Sequence, residues 1–172
     1  MLTFFIFLFF QEEQTITWHK DLKLQWSDFK GEPKPQETIV ATTASGISFG
    51  FSTTKFSNGL EDYSFNITAH FYPDKSWYVN KPLSNIVLAH ERLHFDITEL
   101  YARKFRKRII NFKFTNAINN EMQSIHNVII KELSELQNKY DAETNHSQNI
   151  EKQLAWLKFI ATELNKLSKY GS

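Results

Sequence analysis

The sequence predicts an α+β fold, in which a mostly antiparallel N-terminal sheet is followed by three long helices. Before residue 72, several segments alternate apolar and polar residues, which is the period of a half-buried strand. After residue 82, apolar residues recur every three or four positions, which is the period of an amphipathic helix. A sheet-forming half followed by a helical half is typical of α+β proteins.

The start of the chain differs in character from the rest. Residues 1–14 open with the apolar block MLTFFIFLFF, and ten residues are too few to span a bilayer as a helix. We interpret this segment as an export leader, although it lacks a basic start and a small-residue cleavage site; the alternative is a buried N-terminal strand. Residues 15–170 then form a single domain. The protein is expected in the periplasm or outside the cell, without stable membrane insertion after leader removal.

Charge and cysteine content exclude several classes of function. The formal net charge of +1 gives no electrostatic reason to expect nucleic acid as a partner. The basic residues within 103–108 close a predicted helix, where cations complement the helix dipole. The absence of cysteine excludes disulfides, thiolate zinc sites and a cysteine nucleophile.

The predicted strands come first. The alternation that begins at Ile16 and reaches Trp26 predicts half-buried strands, and residues 31–35, with one glycine and two prolines, predict a loop. Residues 38–51 are rich in Thr, Val, Ile and Phe, which predicts another strand or two. Residues 62–72 alternate almost without fault and give the clearest strand.

Three helices follow. Ser84 is a suitable N-cap for a helix over residues 85–110. Apolar stripes predict a second helix from Ile118 to Leu136 and a third from Ile150 to Leu167. The polar segment between them, which includes residues 140–147, is interpreted as a turn that presents side chains to a site.

The first predicted helix contains the pattern H-E-x-x-H at residues 90–94. Residues four apart share one helix face, so His90 and His94 can bind one metal ion. Zinc accepts imidazole nitrogens readily, and a catalytic zinc site keeps one position for water. Glu91 is the carboxylate that would take a proton from that water. The alternative is a helix with two incidentally placed histidines on its apolar side.

Residues 140–147 are the main source of a third ligand. His146 is preferred, because a third neutral imidazole leaves the charge of the zinc ion undiminished. Asp141 and Glu143 remain open alternatives, because two imidazoles and one carboxylate are equally good zinc chemistry. Tyr140 is expected to donate a hydrogen bond to a developing oxyanion.

Other polar residues receive structural interpretations. Asp96 and Glu99 point away from the metal face of the helix, so neither is expected to be a ligand. His126 is interpreted as a hydrogen-bonded core histidine. The alternative for residues 140–147 as a whole is that Thr144 or Asn145 simply caps the third helix.

Several stretches resemble a known family. LAHERLHFDITELYARKF (residues 88–105) and YDAETNH (residues 140–146), followed by Gln153 and Trp156, are similar to bacterial predicted secreted zinc-dependent proteases, a zincin-like family filed as a domain of unknown function. Stretches of the N-terminal half also resemble this family, namely LQWSDFKGEP (24–33), ATTASGISF (41–49) and KSWYV (75–79).

The resemblance implies a zincin-like metallopeptidase fold, with zinc bound by His90, His94 and His146 and with Glu91 as the general base. One departure is Ser147, where glycine is expected after the downstream histidine. The expected activity is hydrolysis of a peptide or protein substrate. The alternatives are a non-catalytic cell-envelope or interaction protein with a structural metal site, and a zinc amidase that acts on cell-wall peptide. Glu91 favours an enzyme, because structural coordination does not need it.

Overall fold

A computed structural model describes residues 14–33, 39–55, 61–79 and 83–171. The leader predicted for residues 1–14 therefore lies outside the described part of the chain, except for Gln14. In the described ranges, no helix has the length and apolar character needed to cross a membrane.

The N-terminal half forms two small antiparallel sheets. Its strands are β1 (Ile16–Thr17), β2 (Ala41–Thr42), β3 (Ser45–Lys55), β4 (Glu61–Phe71) and β5 (Trp77–Tyr78). β3 and β4 pair along their whole length, and β1 adds to the other edge of β4, which gives the order β1-β4-β3. β2 pairs with β5 in the second sheet. The strand predicted over residues 62–72 is confirmed by β4, whose apolar face enters the core at Ile67, Ala69 and Phe71.

The strands predicted between Ile16 and Trp26 are wrong beyond β1. Leu24 is buried, but its carbonyl accepts a hydrogen bond from the Arg92 side chain at 2.6 Å. Trp26–Asp28 form one turn of 3₁₀ helix, and the Asp28 carboxylate accepts from the backbone N–H of Gln25. The apolar residues of this segment therefore pack on the core from a loop, and side chains satisfy part of its backbone.

The second half consists of three helices, α1 (Asn85–Ile110), α2 (Ile118–Thr144) and α3 (Ile150–Lys166). The Ser84 side chain accepts from the N–H of Val87, which confirms the predicted N-cap and start of α1. The predicted end of the second helix is wrong, because α2 continues beyond Leu136 to Thr144. Tyr140, Asp141 and Glu143 therefore lie on this helix and not in a turn. α3 is capped by the Asn149 side chain, and neither Thr144 nor Asn145 serves that purpose.

α1 is the central element, packed on β3 and β4 and on the other two helices. Its buried Glu99 carboxylate accepts from Arg103 Nε at 2.8 Å and from Arg106 Nη1 at 3.0 Å. Arg103 also donates to the Leu164 carbonyl, and Arg106 donates to the Ile67 carbonyl. These bonds tie α1 to the sheet and to α3, so the helix is held firmly from the side opposite its metal motif.

His126 of α2, predicted as a core histidine, is half-buried at the edge of the core. Its ring packs against Phe49 and Phe105, with ring centroids 4.8 Å and 5.9 Å away. Neither of its ring nitrogens has a hydrogen-bond partner among the described residues, so the expected hydrogen bond is not found. The ring therefore acts as a packing group of the core.

Candidate metal centre

Three donor atoms from two helices converge on one point. His90 and His94 project from the same face of α1, and Asp141 of α2 lies opposite them. Asp141 Oδ1 is 3.0 Å from the Nε2 atom of each histidine, and the two Nε2 atoms are 3.2 Å apart. We call these residues the metal triad; within the described ranges they form the one group of His and carboxylate residues close enough to hold a metal ion.

The spacing and chemistry of the triad fit zinc. A tetrahedral zinc ion with bonds of about 2.0–2.1 Å keeps its ligand atoms about 3.3 Å apart. The triad atoms are 3.0–3.2 Å apart, so a small outward movement would accommodate the ion. Two imidazoles and one carboxylate are also a donor set that catalytic zinc sites use.

The charge distribution of the triad favours a cation. Burial alone would raise the pKa of Asp141, but its hydrogen bonds with His90 and His94 outweigh burial and hold this pKa below the usual range. The carboxylate is therefore ionised at neutral pH. Burial lowers the pKa of His94, but its hydrogen bond with Asp141 and the charges of Glu91 and Asp141 reverse this and raise it. The two shifts reflect the mutual attraction between the Asp141 carboxylate and the imidazoles.

Glu91 lies beside the triad and is held by Thr43, a residue to which the sequence analysis gave no role. The Thr43 hydroxyl, in the loop between β2 and β3, lies 2.8 Å from Glu91 Oε2 and 3.0 Å from the Glu91 carbonyl oxygen. Glu91 Oε1 accepts no hydrogen bond from any described residue. One oxygen of the carboxylate is thus anchored, and the other is available to a bound molecule.

A cleft of about 560 Å³ opens beside these residues. It is lined by segment 39–43, which includes β2, and by His146, Ser147 and Gln148, which follow α2. The metal triad and Glu91 also line it. Its volume is within the range typical of ligand sites, about 300–1,000 Å³. A larger groove of about 750 Å³ borders α3 and residues 18–24, but the metal triad does not line it.

The structure does not bring His146 into the triad. Its side chain is 57% exposed, and its Nδ1 atom is 3.8 Å from Asp141 Oδ1. It follows the end of α2 and lines the cleft wall. Glu143 is directed elsewhere, because its carboxylate accepts from the Trp156 indole at 2.9 Å. Of the three donors considered from the sequence, Asp141 is the one placed against His90 and His94.

Tyr140 is fully buried and does not line the cleft. Its ring stacks on the His90 ring at a centroid distance of 4.5 Å, and its hydroxyl donates to Gln153 Oε1 at 2.8 Å. Burial raises the pKa of Tyr140 above its ordinary value, so the phenol stays protonated. Tyr140 therefore packs against the His90 ring from the protein interior and cannot reach a substrate oxyanion in the cleft.

The turn that carries His146 explains why glycine is expected after it. Asn145, His146 and Ser147 have φ angles of 47°, 48° and 72°, which all lie in the left-handed region. A residue other than glycine pays about 1–2 kcal/mol to adopt this conformation. Glycine avoids this cost, although it loses about 0.5–1 kcal/mol through its greater freedom in the unfolded chain.

We therefore expect Ser147→Gly to raise the free energy of unfolding by roughly 0.5–1 kcal/mol. The measurement is denaturant unfolding of the metal-free protein. Ser134→Gly, at an exposed position inside α2, is the matched control and should lower stability by a similar amount. Destabilisation of the same size in both variants would contradict the explanation.

Comparison with known proteins gives one result. The family described as "Bacterial protein of unknown function (DUF922)" matches residues 23–147 of the chain. The match covers the metal triad, Glu91, Thr43 and His146, and it ends before Gln153. No curated protein and no solved structure matches the chain.

Proposed function

This chain belongs to DUF922, a bacterial family of unknown function, and we propose that it is a zinc-dependent peptidase. The observation that carries the proposal is the convergence of His90, His94 and Asp141 beside Glu91 in an open cleft. The zincin-like resemblance of the motif and the apolar start of the chain support a secreted metallopeptidase as part of the same proposal.

In this proposal, His90 Nε2, His94 Nε2 and Asp141 Oδ1 hold the zinc ion. The bound ion would polarise a substrate carbonyl and make its water more acidic. Glu91 accepts the proton of the attacking water at Oε1 and passes it to the leaving amine. Thr43 keeps the Glu91 carboxylate in one orientation, because it occupies Oε2.

The walls of the cleft suggest how a peptide is held. β2 pairs with β5 along one edge, and its segment borders the cleft next to Glu91. An extended peptide would bind along the other edge of β2 by strand addition. His146, which is exposed and lines the same cleft, would donate a hydrogen bond to the oxyanion in place of Tyr140.

Two alternatives share part of this chemistry. A structural zinc site usually has four protein ligands and is closed to solvent. Here three donors converge next to a cleft, and Glu91 presents an oxygen to it, which favours an enzyme over a non-catalytic envelope protein. A zinc amidase acting on cell-wall peptide uses the same residues, and parallel assays with protein and cell-wall peptide substrates separate it from a peptidase.

Zinc content tests the proposal directly. The protein, as purified and after reconstitution, should bind about one zinc ion per chain and hydrolyse a peptide library. A chelator should abolish hydrolysis, and added zinc should restore it. Binding well below one equivalent after reconstitution would contradict the proposal, whereas full binding without hydrolysis would favour the structural alternative.

A further inference from the structure

Each histidine of the metal triad has a glutamine at its other ring nitrogen. The Gln137 side chain of α2 contacts His94 Nδ1 through Oε1. The Gln153 side chain of α3 is buried, and its Oε1 lies 3.0 Å from His90 Nδ1. Neither glutamine has a role in the proposed reaction, so their contacts with the histidines need another explanation.

The orientation of the Gln137 amide is determined by its other end. Gln137 Nε2 donates to the His94 carbonyl oxygen at 2.9 Å and lies 3.4 Å from Thr98 Oγ1. A carbonyl oxygen can only accept, so the NH₂ group must face it and Oε1 must face the ring. His94 Nδ1 therefore carries a hydrogen, and Nε2 is the nitrogen that faces Asp141.

Gln153 contacts His90 from α3, and unlike that of Gln137, its own Nε2 atom has no hydrogen-bond partner among the described residues. Its Oε1 accepts from the Tyr140 hydroxyl at 2.8 Å and lies within hydrogen-bond distance of His90 Nδ1. A buried oxygen that faces the ring places the hydrogen on Nδ1. His90 Nε2 is then the nitrogen next to Asp141 Oδ1.

We propose that Gln137 and Gln153 are positioning residues that keep a hydrogen on Nδ1 of His94 and His90 and so aim Nε2 of each ring at the metal position. In the metal-free chain each Nε2–H donates to the Asp141 carboxylate, and a bound cation would displace these hydrogens and contact all three donors. Without the glutamines, a neutral ring would keep its one hydrogen on Nε2, bonded to Asp141, where it competes with the metal. This inference rests on the proposed zinc site.

Paired substitutions test the inference through zinc affinity, measured by competition with a coloured chelator. Gln137→Leu and Gln153→Leu remove the acceptor, and each should weaken zinc binding by about 10–100-fold. Gln153→Glu keeps an acceptor facing the ring and removes no hydrogen bond, because the Gln153 Nε2 atom has no partner among the described residues, and it should bind zinc nearly as tightly as the unmodified chain. Gln123→Leu, at an exposed position of α2, is the matched control and should have no effect.

Nitrogen NMR of the metal-free full chain at alkaline pH provides a readout that does not depend on zinc. We expect a hydrogen on Nδ1 of both histidines in the unmodified chain, and a hydrogen on Nε2 alone for His94 in Gln137→Leu. A hydrogen on Nε2 alone for His94 in the unmodified chain would overturn the inference, as would undiminished zinc affinity in Gln137→Leu. A hydrogen on Nδ1 of both histidines in a chain that binds no zinc would instead overturn the proposed function and leave the hydrogen assignment standing. The spectrum of the unmodified chain decides this even if a leucine variant does not fold.

Discussion

Glu91→Gln is expected to lower the rate of peptide hydrolysis by about 10²–10⁴-fold without changing the zinc content. Glutamine has the size of glutamate and can still accept a hydrogen bond from Thr43, but it cannot take a proton from water. The measurements are kcat/KM for a peptide substrate and the zinc content of the same preparation. His90→Ala should lose both activity and zinc, because it removes a ligand.

Glu135→Gln is the matched control for this prediction, since Glu135 is exposed on α2 and does not line the cleft. It should leave activity and zinc content unchanged. If Glu91→Gln also retained activity, Glu91 would not be the base. If it lost its zinc, the loss of activity would no longer report on proton transfer.

Asp141→Ala should weaken zinc binding by roughly 10³-fold, which is about a third of the binding free energy typical of a zinc site. His146→Ala should keep the zinc and lower kcat by about 10²-fold, because it removes a hydrogen-bond donor to the oxyanion. The comparison needs zinc affinities and kcat values for both variants. Loss of zinc in His146→Ala, with Asp141→Ala unaffected, would restore His146 as the third ligand.

Local chemistry explains which parts of the fold were predictable. The start of α1 depends on Ser84 and its bond with the N–H of Val87, and its end follows from an unbroken apolar stripe. The end of α2 is harder to predict because the residues after Leu136 are mostly polar. The buried Tyr140 and Thr144 nevertheless continue the helical spacing of Leu133, and this signal could have extended the helix.

The alternation of apolar and polar residues predicted strands less reliably in the N-terminal segment. Leu22, Leu24 and Trp26 have the period of a strand, but the described strand that pairs with β4 here ends at Thr17. An apolar side chain can reach the core from an irregular segment when other groups satisfy its backbone. Here the partner of the Leu24 carbonyl is a side chain 68 residues away, which no local pattern reveals.

The candidate site also has a part that the sequence predicts and a part that it does not. His90, Glu91 and His94 lie on one helix turn, so their mutual geometry follows from helix spacing. The position of Asp141 depends on how α2 packs against α1. The sequence therefore gave Asp141 only as one of three candidate third ligands. Thr43, Gln137 and Gln153 received no role, because single polar residues in a strand loop or on a helix carry no pattern of their own.

The donors of the triad lie on two helices, and His90 and Asp141 are 51 positions apart in the chain. A metal ion between them would therefore act as a reversible cross-link. Because the donors come together only in the folded chain, the binding free energy of the ion would add to the stability of the fold, by about 2.7 kcal/mol when free zinc is at 100 times the Kd. This chain has no cysteine, so a bound ion would provide the kind of cross-link that disulfide bonds provide in many exported proteins. The resistance of the folded chain to proteolysis would then depend on the local supply of zinc.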